Sequence, residues 1–178
     1  MKTKFFNVYL LVVFISFAFT GCGKDGVQGP AGIDGQNAAV YYSEWFVPTA
    51  WSGNSGDWYF SASAPDLTES VVENGVVLAY VWLDGDLYNS TSVRPLPAYA
   101  VGANWSFLIY QYGSLEFTCD MITQPLTTNK FRFIAIPGTS TALKTASIKY
   151  NTKSKMINMP YSEACKLFDI KDSLKILK

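Results

Sequence analysis

Histidine is missing from all 178 residues of the chain. That removes Ser-His-Asp and Cys-His nucleophile pairs and most transition-metal sites, which use imidazole as base or ligand. Cysteine is scarce, with three residues: Cys22, Cys119 and Cys165. Charged residues make up only 16% of the chain, and the 14 Lys+Arg balance the 14 Asp+Glu. A nucleic-acid partner calls for a basic footprint and is excluded on this composition. Long apolar runs are also lacking. The one such run, Phe5 to Phe19, is interrupted by Asn7 and Ser16 and falls short of the ~20 residues of a comfortable membrane span. Nothing downstream is long and apolar enough to cross a bilayer, so the mature chain is expected not to do so. What is plentiful is aromatic, at 16%. With this length, that composition favours one packed, strand-rich domain over disorder.

The start of the chain reads as a leader. Met1-Lys-Thr-Lys4 is positive, the apolar stretch follows, and small residues close it, as in a secretory signal peptide spanning 1–21. Phe19-Thr20-Gly21-Cys22 resembles the lipobox of bacterial lipoproteins, with Phe19 where that family usually has Leu. The resemblance implies that Cys22 becomes the mature N-terminus and carries diacylglycerol and an amide-linked acyl chain. Two or more chains give stable attachment where one is marginal, since each buried CH₂ contributes ~0.8 kcal/mol. The competing expectation is ordinary cleavage near Gly21 and a free product.

Glycine then recurs in strict period three, at Gly23, Gly26, Gly29, Gly32 and Gly35. Only glycine fits the crowded axis of a collagen triple helix, so residues 22–37 look like a short collagen-like stalk, on the order of 45 Å long at ~3.1 Å per residue. Pro30 is its only proline. With few residues pre-set to polyproline II angles, the tract winds only if the head forms a homotrimer or the tethered lipids concentrate the chains. Otherwise it is an extended spacer.

From residue 38 the pattern changes to short alternating segments. Strands are predicted at 39–47, 58–63, 76–83, 93–101, 105–112, 114–123, 131–136 and 146–150, with turns at Asp84-Gly85-Asp86, Gly113 and Pro137-Gly138. Val76 to Leu83 is continuously apolar, as for a strand buried on both faces. Pro95 and Pro97 demote the 93–101 segment to an edge or irregular strand. Asp66 to Gly75 reads as one or two helical turns capped by Thr68 or Asp66 and ended at Asn74-Gly75. The fold class expected is all-β, an antiparallel β-sandwich or jelly-roll-like head over 38–150. A short C-terminal helix follows over 160–170, with Ser162 as its cap and a frayed basic tail, in the segment 151–178.

Glu73-Asn-Gly-Val-Val-Leu-Ala-Tyr-Val81, Leu96-Pro97 and Lys130-Phe-Arg-Phe-Ile-Ala-Ile-Pro-Gly138 resemble uncharacterised Bacteroidota lipoproteins that join a signal, a short Gly-Xaa-Yaa tract and a β-rich head. The likeness covers most of the chain, and its motifs are structural; it carries no active residue across. The layout is also similar, in architecture only, to the collagen-plus-jelly-roll plan of complement and tumour-necrosis-factor-like trimers. Asp172-Ser173-Leu174 resembles the Asp-Ser/Thr-aliphatic acceptor of Bacteroidota O-glycosylation.

Candidate chemistry is thin. In an oxidising compartment Cys119 and Cys165 are a candidate disulfide, which would close a loop worth roughly 3–4 kcal/mol; the alternative is two buried apolar thiols. Asp84 and Asp86 offer oxygen ligands for calcium, though a turn explains them equally. Asp57, Asp66, Glu69, Glu73, Glu116 and Asp120 supply possible carboxylate pairs for glycoside hydrolysis, none marked out by a motif. Among Trp45, Trp51, Trp58, Trp82 and Trp105, Trp51 stands beside the Ser52-Gly-Asn-Ser-Gly56 loop. It is the candidate ligand-binding aromatic, set against a general expectation that aromatics are core. Charge is unevenly placed: four basic against eleven acidic residues over 22–142, then eight lysines against three acids over 143–178. The lysines form a solvated face, dock on the acidic head, or touch anionic lipid or polysaccharide. The reading is a non-enzymatic protein held by its N-terminal lipid in a bacterial envelope, at the outer membrane, displaying a structural or adhesive head. The alternatives are a glycan-binding module and, third, a hydrolase. No cofactor is expected, and a glycan or a surface protein is the expected ligand.

Overall fold

The strand from Val76 to Trp82 alternates between two destinations, and the rest of the head is arranged to receive both. The computed structural model describes residues 40–86, 93–150 and 153–171. The leader, the Cys22 anchor, the Gly-Xaa-Yaa tract and the Asp172-Ser173-Leu174 motif lie outside the described residues. In chain order the described elements are β1 (Tyr41–Tyr42), β2 (Ser52–Asn54), β3 (Asp57–Ser63), α1 (Glu69–Asn74), β4 (Val76–Trp82), β5 (Arg94–Pro95), β6 (Ala98–Ala100), β7 (Ala103–Leu108), β8 (Ser114–Cys119), β9 (Lys130–Ile136), α2 (Thr141–Tyr150), α3 (Lys153–Ile157) and α4 (Tyr161–Leu167).

The strands form two antiparallel sheets, one ordered β1-β9-β4-β5 and the other β2-β3-β8-β7-β6. The head is therefore a sandwich-like all-β fold with a few short helices. β4 and β9 pair from Val76↔Ile136 to Trp82↔Lys130. Because successive side chains point to opposite faces, Ala79 and Val81 of β4 join Phe131, Phe133 and Ala135 of β9 in the core between the sheets. Val76, Leu78 and Tyr80 join Ile134 and Ile136 on the other face. The continuous apolar run is thus a strand buried on both sides.

The inter-sheet core is aromatic. Phe60 stacks on Phe117 at 5.2 Å, Phe131 lies 4.8 Å from Phe117 and 4.9 Å from Phe60, and Phe46 approaches Phe117 at 5.8 Å. Such pairs add ~0.5–1.5 kcal/mol each beyond the area they bury. The second core lies under the C-terminal helices, where Leu143, Ala146, Met156, Met159, Tyr161, Ala164 and Ile170 cover the outer face of the β4–β9 pair. Tyr80 hydroxyl donates to the Met159 carbonyl at 3.1 Å and pins this layer to the sheet.

Several expectations hold. α1 ends at Gly75, whose N–H donates to the Val71 carbonyl at 2.8 Å. A Cβ at Gly75 would stand 2.3 Å from the Ile136 carbonyl oxygen, so no larger residue fits against β9 there. Gly113, with φ +80°, closes the β7–β8 hairpin. The proline-marked segment 93–101 divides: β5 is an edge of one sheet, β6 an edge of the other, and the chain crosses between them at the cis Leu96-Pro97 bond.

Others are corrected. The segment 146–150 is not the last strand but the end of α2. Ser140 Oγ accepts from the Leu143 N–H at 3.0 Å and donates to the Pro137 carbonyl at 2.7 Å, which caps the helix. Leu143, Ala146 and Tyr150 then fall on one helical face against the second core. The expected 160–170 helix is α4, but Pro160 takes the N-cap position and Ser162 lies exposed in the first turn. The lysine-bearing C-terminal segment packs on the four-stranded sheet through its apolar face, with Lys144, Lys155, Lys166 and Lys171 exposed and Lys149 paired with Glu163.

Phe117→Ala removes the ring that touches Phe46, Phe60 and Phe131. The expected loss is ~3–5 kcal/mol in urea unfolding of the mature chain, with the cooperative transition retained.

Candidate functional site

With both faces of the β4–β9 pair covered, the sheet face left to solvent is the outer side of β2-β3-β8-β7-β6. The alternation in β3 decides its chemistry. Trp58, Phe60 and Ala62 turn inward, while Tyr59, Ser61 and Ser63 turn out. Registers carry the pattern across the sheet, as Tyr59–Thr118–Ser106 in one row and Ser61–Glu116–Leu108 in the next. Tyr99 of β6, 68% exposed, stands at the far edge opposite Asn104.

β2 pairs with β3 only as far as Tyr59, so the remainder of β3 borders an open groove. Its other wall is the chain from Ser43 to Ser52. The groove encloses about 620 Å³, and its polar lining is made of hydroxyls: Ser43, Thr49, Ser52, Tyr59, Ser61 and Ser63. Phe46 and Pro48 supply apolar wall. Ser43 Oγ is already engaged by the Phe133 N–H at 3.1 Å. No carboxylate, lysine or arginine lines the groove. It is built to offer hydroxyl hydrogen bonds and one tyrosine face to a neutral polar ligand, and holds no acid–base pair.

Trp51 does not belong to this surface. It is 5% exposed and sits in the aromatic core, 4.9 Å from Phe60, 6.0 Å from Trp105 and 6.0 Å from Phe131. Its indole N–H points at the Leu126 carbonyl at 3.5 Å. The flanking Gly/Ser loop is instead the β2–β3 hairpin, and the ring ahead of it lies in the inter-sheet core. The other tryptophans are also structural. Trp58 and Trp105 donate to the Met121 and Ala100 carbonyls at 3.0 Å each, Trp82 lies beneath the Lys130 ammonium, and Trp45 packs edge-on to Tyr161. Among the described residues the exposed aromatics are tyrosines. The signal for Tyr59 was the period-two order Trp-Tyr-Phe-Ser-Ala-Ser, with every second residue polar.

Cys119 and Cys165 are not bridged to each other. Cys119 faces the inter-sheet core and Cys165 packs against the helical core. The four-stranded sheet stands between them, whereas a disulfide needs Cβ atoms about 3.5–4.5 Å apart. Burial pushes the Cys119 thiol up to about 11, a smaller hydrogen bond with the Met121 backbone opposing it.

Asp84, Asp86, Asp120 and Glu73 take structural roles. Asp86 is buried and pairs with Arg94 at 2.7 Å, while Asp84 accepts from Thr128 Oγ1 at 2.7 Å and its N–H donates to Asn129 Oδ1 at 2.9 Å. They shape the turn, and among the described residues no group of three His, Cys, Asp or Glu is placed to hold a metal ion. Asp120 accepts from the Asn104 side-chain amide and backbone N–H, both at 2.6 Å, and these bonds hold its carboxyl below the usual range. Glu73 accepts from the Tyr112 hydroxyl at 3.2 Å; desolvation first, then this bond, raises the phenol.

The fold and this surface define the protein as a two-sheet β head with a helical layer on one side. No protein-family model, curated protein or solved structure matches the chain.

Without reductant, the unfolded mature protein is expected to titrate two thiols besides Cys22. In the native protein at pH 8, Cys119 carries about 100-fold less thiolate than an unperturbed cysteine, so it is expected to react at least that much more slowly than free N-acetylcysteine, and the gap narrows as pH rises. A protein with no titratable thiol after unfolding overturns the assignment.

Proposed function

We propose that this chain is a lipid-anchored protein of a bacterial envelope, held at the outer membrane through Cys22, whose β head is a structural or adhesive display module and not an enzyme. The anchor rests on the lipobox-like Phe19-Thr-Gly-Cys22 behind a signal-like leader. The head's role rests on one observation: the exposed sheet face and its groove present hydroxyls and tyrosines, with no base, metal cluster or carboxylate pair in the groove. Such a surface suits contact with a neutral polar partner. A homotrimer wound through the Gly-Xaa-Yaa tract belongs to the same proposal, since a stalk of that pattern gains from three heads held together.

The groove favours a second reading within this frame, a glycan-binding module. Sugars present apolar ring faces that stack on aromatics and hydroxyls that pair with serine and threonine. Tyr59 beside Ser61, Ser63 and Ser52 replaces Trp51 as the residue on which that reading stands.

Cys22→Ala is expected to abolish incorporation of radiolabelled fatty acid and move the protein from the membrane fraction to the soluble one. Equal membrane retention and no label in the wild type would end the anchor proposal. On a glycan array, saturable binding by the mature protein that weakens about tenfold or more in Tyr59→Ala supports the glycan reading. Binding unchanged by that substitution, or no binding to any sugar, leaves the display module as the reading.

A further inference from the structure

Arg132 is wholly buried, at 0% exposure, in the middle of β9, and faces the helical core rather than the inter-sheet one. Three of its donor directions are used. Nε donates to the Ser43 carbonyl at 2.8 Å, and Nη1 donates to the Tyr161 hydroxyl and, at 3.3 Å, to the Lys171 carbonyl. Aromatic rings wall the guanidinium: Tyr42 at 5.0 Å, Tyr161 at 5.8 Å and Trp45 at 6.0 Å from its central carbon. Neither the Arg94–Asp86 nor the Lys149–Glu163 ion pair reaches it.

Two buried side-chain polar atoms among the described residues lack a hydrogen-bond partner, Arg132 Nη2 and Trp45 Nε1. Both belong to this one box. Both are donors, so what satisfies them is an acceptor, and beside a guanidinium without a counter-charge the favoured acceptor is anionic. We propose that Arg132 Nη2 and Trp45 Nε1 form a carboxylate-binding site, walled by Tyr42 and Tyr161, that takes one carboxylate across the two donors. A single positive charge and two N–H groups match a planar monoanion with two oxygens. A phosphate dianion would bring a second negative charge into a buried place with nothing to balance it. Of the walls, Tyr42 is 42% exposed and Trp45 half-buried, so these two border solvent.

Two sources supply that chemistry: a free small carboxylate, or the chain itself, since Asp172 directly follows the residue whose carbonyl binds Nη1. The test is thermal unfolding of the mature protein with increasing sodium acetate, ionic strength held with chloride. The indole N–H resonance of Trp45, assigned through Trp45→Phe, is followed alongside. At a hundredfold excess over Kd, bound acetate raises the folded-to-unfolded ratio about 100-fold. If wild type and Asp172→Asn both gain stability with acetate and the Trp45 resonance shifts, the ligand is a free carboxylate. If only Asp172→Asn responds, the chain's own carboxylate occupies the site. In either case the two donor variants are made in a background that responds, Asp172→Asn, where Arg132→Met is insensitive to acetate and Trp45→Phe responds less. If Asp172→Asn does not respond, or if adding Trp45→Phe or Arg132→Met to it leaves the response undiminished, the proposal fails. Trp45→Phe and the resonance keep the test decisive if Arg132→Met does not fold.

Discussion

One pair of strands closes two cores. β4 and β9 run antiparallel, and each sends alternate residues to opposite sides. The aromatic core needs Phe131 and Phe133 on one face, and the helical core needs Ile134 and Ile136 on the other. A slip of one residue would exchange both sets at once, so the register is held from two directions. Burial of a Val, Leu, Ile or Phe side chain contributes ~1.5–3 kcal/mol, and most of the β4 and β9 residues contribute in this way. The helical layer is therefore part of the head, not a tail beside it.

The same constraint accounts for the strangest residue in the molecule. Arg132 falls on the helical face because Phe131 and Phe133 take the other. A buried charge costs several kcal/mol. The surrounding rings return ~0.5–2 kcal/mol each, and its hydrogen bonds to Ser43, Tyr161 and Lys171 return more. In exchange the side chain joins β9 to the segment before β2, to α4 and to the chain beyond α4. Ser43 is tied to β9 three times over, through its N–H to Phe133, its Oγ from Phe133 and its carbonyl from Arg132.

What remains for contact is set by subtraction. One sheet is covered on both faces, so the outer side of the other is the broad β surface left to solvent. Its serines, threonines and tyrosines make it polar and mostly uncharged, with Glu116 and Asp120 beside them. The exposed lysines Lys144, Lys155, Lys166 and Lys171 ride on the helical layer against the other sheet.

The central strands, the hairpin at Gly113, the irregular edge character of 93–101 and the double burial of Val76–Trp82 could all be read from residue order. Each rests on a local rule, either period-two alternation or a backbone that proline and glycine restrict. The expected strand 39–47, by contrast, shrinks to Tyr41–Tyr42, and the Ser52–Asn54 loop pairs as β2. Three other features could not be read this way. Ala-Ser-Ile-Lys-Tyr alternates as well as a strand does, and only the cap at Ser140 and the apolar floor offered by β4 make it helical. Trp51 beside a polar loop looked exposed, yet its ring packs on Phe60, Trp105 and Phe131 in the core. Cys119 and Cys165 looked like partners, yet a sheet separates them. A lone arginine among apolar residues was visible in Phe-Arg-Phe-Ile-Ala-Ile, but its surroundings come from residues 42, 45 and 161. Local order thus prescribes which segments are strands and where they turn, because those preferences act over a few neighbouring residues. Which face each strand shows, and which side chains meet, was settled only when segments far apart in the chain packed together, because burial is shared among all of them at once.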